Sequence, residues 1–483
     1  MGPLTMKNEF RIPQAMFDSL QKHLFPGDND EHGAVIAAGI CRSARGTRFL
    51  ARKLFIAREG VDYIPGKYGY RALTAEFVAR VSGYCSKNKL AYFAIHNHGG
   101  EGSVGFSGDD LASHKRGYPA LLDINKGVPV GALVFAKGAV AGEIWTRSGV
   151  DALDSMVVVG MNHQRLFPCP HPIPAELEEV YHRQSLLFGP KGQQILKGAK
   201  VGIIGMGGVG SLVNEWLARL GVGEILAIDY DKLEPSNRSR VVGSTWWDAP
   251  ELLLNSSHGW LRRVGVRLST YKVHIGRRVA LAANPAIRYE PIVGSISQGS
   301  VALKLKDADY IFLCADSMES RLVFNALVHQ YLVAGVEIGS KIQVAGATGA
   351  ITDIFCATRP VIPQSFGGCL WCNQLINPSK LQEEAVSPEQ LKRQKYVSDE
   401  AVGAPSVITL NALGAAHAAN EFLFSMVGLH QNDGLKTEMR LNYPRVRKLV
   451  KGENAYAPTC LHCGEGLDAV IGRGDGADLP CRA

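Results

Sequence analysis

The chain has 483 residues, 46% of them hydrophobic and 20% charged, with a formal net charge of +7. That length is too great for one core and predicts two or three domains of ordinary globular composition. Lys and Arg are scattered without a long basic run, Met1 to Phe10 lacks the order of a signal peptide, and glycines interrupt every long apolar run, so neither nucleic acid nor membrane is expected as a partner and a cytoplasmic location is.

Pro13 to Leu24 reads as an amphipathic helix closed by Pro26-Gly27, and the polar run Asp28 to Glu31 leads into a buried strand at Ala34 to Ala38. Strands follow at Phe49 to Ile56 and Leu90 to Ile95, with a helix between them near Thr74 to Asn88. At the end of the second strand stand His96-Asn97-His98, then Ser107 and Asp110. Two histidines one residue apart on a strand share a side and can reach one zinc ion. Asp110 is the expected third ligand, with Asp109 its rival. Glu31 is the candidate general base, and Ser107 the candidate donor to an oxyanion. This constellation resembles the JAB/MPN zinc metallopeptidase family, which cleaves ubiquitin-like tails and isopeptide bonds. The resemblance implies an α/β metalloprotease fold over residues 1–166. Gly99 departs from it, standing where that family usually has proline.

Phe167 to Pro174 carries four prolines and marks a linker at 167–176. Beyond it strand and helix alternate: Val201 to Ile204, Ser211 to Leu220, Glu224 to Asp229, Val273 to Ala283, Ile287 to Val293 and Tyr310 to Cys314. That alternation predicts right-handed crossovers and a doubly wound, Rossmann-like sheet. The turn Gly205-Met206-Gly207-Gly208-Val209-Gly210 lies between strand and helix, where backbone can approach phosphate, and Asp229 stands where ribose hydroxyls would be held. Alone this would suit an NAD enzyme. The run Asp229 to Arg240, Ala315-Asp316-Ser317 and the pairs Cys369/Cys372 and Cys460/Cys463 point elsewhere.

Together these features resemble the ubiquitin-activating superfamily, including the bacterial adenylyltransferases of molybdopterin and thiamine sulfur carriers, over about 177–466. The resemblance implies ATP and magnesium as cofactors. Gly205, Gly207, Gly208, Gly210, Asp229, Asp231, Asn237, Arg240 and Lys272 would hold the nucleotide. Asp316 would engage magnesium, and Arg183 would reach the nucleotide across a homodimer interface. Four cysteines in two CxxC pairs suit a structural zinc, in addition to the catalytic one at His96, His98 and Asp110.

Trp246-Trp247 reads as the core of an inserted helix, with an exposed partner surface as the alternative. The crossover segment Tyr396 to Pro405 has no cysteine; Ser398 is a candidate acceptor nucleophile there, while Cys314 and Cys356 read as core residues and Cys481 as part of a loose tail at 467–483. The expected function is a bifunctional enzyme of a bacterial ubiquitin-like system, processing a carrier with zinc and adenylating its C-terminal carboxylate with ATP, with a conjugating-type enzyme as a further partner. The alternative is processing and adenylation of a sulfur carrier or peptide in cofactor or natural-product biosynthesis. A scaffold with dead sites is the third reading.

Overall fold

The computed structural model describes residues 8–28, 30–66, 71–170, 178–344, 350–364, 367–385, 405–431 and 438–482. Ser398 lies outside the described residues, as does most of the proposed linker, 171–176. Two large sheets organise the chain. The first uses β1 (Asn8–Pro13), β2 (Gly33–Ser43), β3 (Gly46–Ile56), β6 (Ala91–Asn97), β7 (Val130–Phe135), β8 (Val140–Thr146), β9 (Gly149–Ala152), β10 (Ser155–Val159) and β11 (Gln164–Leu166), in the order β11-β10-β1-β3-β2-β6-β7-β8-β9; β4 (Tyr63–Pro65) and β5 (Arg71–Leu73) pair apart from it. Period-two alternation gives β2 two buried faces. Ala34, Ile36 and Ala38 pack with Phe17, Leu20 and Leu24 of the helix Gln14–Leu24. Val35 and Ala37 face Phe77 and Val81 of the helix Ala75–Asn88 and Tyr118 of the helix Gly108–Ile124.

The second sheet runs β14 (Arg288–Ile292), β13 (Glu224–Ile228), β12 (Lys200–Ile204), β15 (Tyr310–Leu313) and β16 (Ala334–Val344), all parallel, then β17 (Ile351–Val361), β18 (Glu438–Tyr443) and β19 (Lys448–Glu453), antiparallel. Its faces are covered separately. Val201, Ile203 and Phe312 pack with the helices Gly208–Arg219 and Ile408–Val427, whereas Ile204, Ile311 and Leu313 pack with the helix Met318–Gln330. The doubly wound Rossmann-like expectation is therefore met, with an antiparallel extension that the strand-helix alternation did not announce. Among the described residues no helix is long and apolar enough to cross a membrane.

The two halves meet around buried charge. Asp309, just before β15, takes Arg11 of β1 at 2.8 Å, Arg48 of β3 at 2.8 Å and Arg45 of the β2-β3 hairpin at 2.9 Å, and its other donor is the Lys200 amide at 2.9 Å. Glu9 takes Arg11 at 2.7 Å and Arg48 at 2.9 Å. Apolar packing follows the same seam, with Val157 and Val159 joining one core of the second sheet and Cys41 and Leu50 the other.

The expectation of a loose tail at 467–483 is corrected. Residues 466–482 pack back across both halves: Arg52 donates to the Gly466 and Ala469 carbonyls at 2.6 and 3.0 Å, the Asp475 amide to the Ile40 carbonyl at 2.7 Å, and the Gln330 amide group to the Gly474 and Ala477 carbonyls at 2.9 and 2.7 Å. The glycines that read as looseness serve close approach. Gly472 and Gly474 turn at φ +66° and +56°, and a Cβ on Gly39 would stand 2.7 Å from the Arg473 carbonyl oxygen.

Asp309→Ala is expected to cost about 3–5 kcal/mol, because it strips the shared counter-ion from three guanidinium groups; the readout is the urea midpoint at constant m. Burial pushes the Glu9 carboxyl up, but Arg11, Arg48 and Arg165 outweigh it and hold it at about 2 against 4.5 unperturbed. A depressed carboxyl stabilises the fold above its unfolded value and loses that contribution as pH falls through its folded one, so stability should drain between about pH 4.5 and about pH 2. Equal urea midpoints at about pH 3 and about pH 7 would count against this assignment.

Candidate functional sites

At the carboxyl end of β6, His96 and His98 stand with Nε2 atoms 3.2 Å apart, and Asp110 Oδ2 lies 3.6 Å from the first and 3.4 Å from the second. Tetrahedral zinc with nitrogen and oxygen ligands at about 2.0–2.1 Å implies ligand-ligand edges of about 3.3 Å, so this donor set fits such an ion. Asp110, and not Asp109, makes the group, because Ser107 caps the helix Gly108–Ile124 in a reciprocal box that turns Asp110 inward. Burial raises the Asp110 carboxyl, but hydrogen bonds from His96, His98 and Ser107 prevail and hold it well below the usual carboxylate range. Glu31 Oε1 lies 3.8 Å from His98 Nε2, and burial raises its carboxyl against the pull of the two histidines. A cleft beside His98 is lined by Gly99, Ser103, Val104, Gly105, Pro168 and Cys169.

Ser107 does not take the expected place. Its hydroxyl donates to Asp110 Oδ2 at 2.7 Å and accepts from the Asp110 amide at 3.1 Å, so helix capping consumes the group assigned to an oxyanion. The SxxD spacing carried this signal, since it is also the spacing of a cap.

The second site gathers at the carboxyl edge of β12, β13 and β15. Gly205 turns at φ +92°, where a Cβ would crowd the Ala315 amide at 2.9 Å, and a Cβ on Gly210 would strike the Gly205 carbonyl. A Cβ on Gly208 would meet Asn411 and Arg240. Gly207 alone faces open space, at the N-cap of the helix Gly208–Arg219, where an anion would meet free amides. Asp229 accepts from the Met206 amide at 2.7 Å and the Asp231 amide at 2.8 Å, and burial raises its carboxyl. Asp231 pairs with Lys272 at 2.7 Å. Asn237 is buried at the end of a short turn, and Arg240 donates to the Ser236 carbonyl at 2.9 Å beside Gly208. Asp316 is exposed just past β15. Its carboxylate, with those of Asp229, Asp231 and Glu319, adds to the effect of burial in raising the Tyr230 phenol.

Arg183 is not brought to this site. It is exposed on the first turn of the helix His182–Gly198, in an apolar patch of Val180, Leu186 and Leu187 with exposures of 76%, 76% and 62%. Two residues escaped sequence reasoning. Asn411, buried in the helix Ile408–Val427, contacts Gly208 and bonds Ser340 at 2.8 Å and Ser406 at 3.1 Å, and Glu384 accepts from the Met318 and Glu319 amides at 3.0 Å each, just after Asp316. Neither lies in a motif. The core reading of Trp246-Trp247 is corrected: the rings stack on each other and are 58% and 71% exposed, because the inserted segment packs through Ala249 against Leu233, Val241 and Ile275 and leaves them outside.

Cys369 and Cys460 lie 3.7 Å apart through sulfur, and Cys372 and Cys463 3.6 Å. Disulfides require about 2.05 Å. Zinc bound to sulfur at about 2.3 Å implies edges of about 3.8 Å, so the four thiols could hold one ion. Burial raises the thiols of Cys314, Cys356 and Cys481, and Cys481 lies on the packed tail.

The ThiF family matches residues 181–451. The ubiquitin-like modifier-activating enzyme 5 of Caenorhabditis briggsae is 29% identical over 175 residues, 34% of this chain and 37% of that protein. The sulfur carrier protein adenylyltransferase of Thermus thermophilus is 29% identical over 147 residues, 30% of this chain and 47% of that protein. The molybdopterin-synthase adenylyltransferase of Haemophilus influenzae is 26% identical over 179 residues, 37% of this chain and 65% of that protein. The chain thus spans between about a third and about half of the first relatives it matches. The crystal structure of E. coli MccB with ATP aligns with a TM-score of 0.43 and 20% identity over 60% of this chain and 76% of that one. With more than half of its residues matched, the chain belongs to the ThiF family.

Proposed function

We propose that the chain uses ATP to adenylate the C-terminal carboxylate of a ubiquitin-like protein, a sulfur carrier or a peptide. The observation that carries this is the open glycine turn at Gly207, with Asp229, Lys272, Asn237, Arg240 and Asp316 around the same sheet edge. A carboxylate oxygen attacks the α-phosphorus, the bond to the bridging oxygen breaks, and pyrophosphate leaves. Two anions must approach, so the chain's work is charge neutralisation. Lys272 and Arg240 supply cations, and Asp229 is suited to ribose hydroxyls. Asp316, exposed and in no ion pair among the described residues, is the carboxylate for magnesium. Relatives named for activating ubiquitin-like modifiers and sulfur carriers support the substrate class, within which this reading takes no side. A conjugating-type enzyme could take the activated carrier onward.

A second reading covers residues 1–166, favoured by the triad of His96, His98 and Asp110 with Glu31 beside it. We infer a JAB/MPN-like zinc peptidase that trims or releases the same carrier. Bound zinc would activate water for hydrolysis. Glu31 would take the proton from the attacking water and deliver it to the leaving amine, and the cleft beside His98 would receive the chain to be cut. The second zinc, at Cys369, Cys372, Cys460 and Cys463, would be structural. The exposed apolar side chains of Val180, Leu186 and Leu187 around Arg183 support a homodimer, which would let that arginine reach the partner's nucleotide.

Asp316→Ala should abolish pyrophosphate exchange into ATP with a supporting carrier while leaving cleavage intact; normal exchange would remove this strand end from the site. Zinc per chain should be two, falling to one in His98→Ala with loss of cleavage, and staying at two in Glu31→Gln with cleavage equally lost. A fully active Glu31 variant moves the base elsewhere. Leu187→Asp should give monomers by light scattering, and Arg183→Ala should weaken exchange without changing the mass; a Leu187→Asp dimer would put the interface on another face.

A further inference from the structure

Strand alternation separates the three residues of the His96-Asn97-His98 run. Both histidines turn to the metal triad, and the residue between them must turn away. Asn97 is not idle there. Its Oδ1 accepts from the His32 amide at 2.6 Å, and its Nδ2 lies 3.5 Å from the Asp30 carbonyl oxygen. These are the residues before and after Glu31, so one amide side chain brackets the backbone that carries the candidate base. The first contact is the strong one; the second is at the outer limit of a hydrogen bond.

The rest of the segment is held from other directions. The His32 ring is buried, with Nε2 2.8 Å from Asp28 and Nδ1 3.5 Å from Glu59. The Gly33 amide donates to the Tyr63 hydroxyl at 2.9 Å, and Arg71 pairs with both Asp30 and Glu59. All of those partners lie outside β6. Among the described residues of β6, Asn97 is the one whose side chain hydrogen-bonds the backbone on either side of Glu31, with His96 before it and His98 just after it.

We propose that Asn97 is a positioning residue: it sets the Glu31 carboxylate against the triad by tying the Asp30–His32 backbone to the strand of His96 and His98. This rests on the hydrolytic reading of the first half. It deepens that reading, because the distance from base to triad then depends on the register between two backbone segments, and the Glu31 side chain need only extend from a fixed point.

The test uses the full chain with Asn97→Ala, Asn97→Asp and Glu31→Gln. Three quantities are read: zinc per chain, hydrogen exchange of the amides from Asp30 to Gly33, and steady-state cleavage of a ubiquitin-like domain whose Gly-Gly end is fused to a fluorescent reporter. Asn97→Ala should keep its zinc, speed exchange at the His32 amide, and lower kcat by about 10- to 100-fold with KM unchanged, as misplacement of a catalytic group by about 1 Å does. Asn97→Asp keeps an acceptor for the His32 amide and should recover most of kcat. Unaltered exchange at His32, unaltered kcat, or loss of zinc in Asn97→Ala each overturns the positioning role while leaving the hydrolytic reading intact, provided that Glu31→Gln is inactive. Failure of the zinc-loaded unaltered chain to cleave overturns the hydrolytic reading, and the positioning role with it.

Discussion

The buried carboxylate of Asp309 governs how the two sheets meet. A carboxylate with almost no water around it must be met by cations and hydrogen-bond donors, and here Arg11, Arg45, Arg48 and the Lys200 amide supply them. Arg11 and Arg48 come from neighbouring parallel strands and share one face with Glu9 and Leu50, while Phe10, Ile12 and Phe49 on the other face pack in the first half's own core, so the first sheet meets the second through that face of β1 and β3. A rotation about this seam would leave several charges unpaired at once. Apolar residues could fill the seam as stably, but they would specify it less sharply.

That placement has a consequence at the opposite end of the sheet. Asp309 precedes β15 and Lys200 opens β12, so the first half covers the amino edge of the parallel strands. The glycine turn follows β12, Asp229 follows β13 and Asp316 follows β15, all at the carboxyl edge. In open α/β sheets ligands enter at that edge, where helix amino termini and strand ends leave polar backbone groups. Docking through the amino edge therefore keeps the carboxyl edge, where the proposed nucleotide site lies, open. It also makes the halves one unit, which the packed tail reinforces by bonding Ile40 and Arg52 on one side and Gln330 on the other.

Much of this was legible in the residues. Spacing alone gathered His96, His98 and Asp110, since alternation on a strand and a capped helix start are local geometry. The glycine turn, Asp229 and the paired cysteines were legible for the same reason. Long-range features were not. Trp246 and Trp247 look like core by composition, and only the packing of the inserted segment leaves them outside. The glycine-rich tail has the composition of a loose segment, yet its glycines are where two backbones touch. Ser107 shows another limit: one spacing serves two physical purposes, and the structure places the hydroxyl in the helix cap. Glu384 and Asn411 bond across more than sixty residues to groups that no motif names.

Thiol chemistry narrows what could follow the proposed activation. A thiolate is the nucleophile, and burial without a cation keeps a thiol protonated. Cys41 and Cys85 are pushed up to about 12 by burial, and Cys314, Cys356 and Cys481 are raised as well, while four more cysteines face one another in the paired cluster. Cys169 is the exception, exposed in the cleft beside His98. The crossover segment Tyr396 to Pro405 contains none. A thioester route through this chain would therefore have to use the thiol that lies beside His98, or unbury one that the fold keeps neutral. An adenylate handed directly to another molecule needs neither, and is the course that the distribution of cysteines favours.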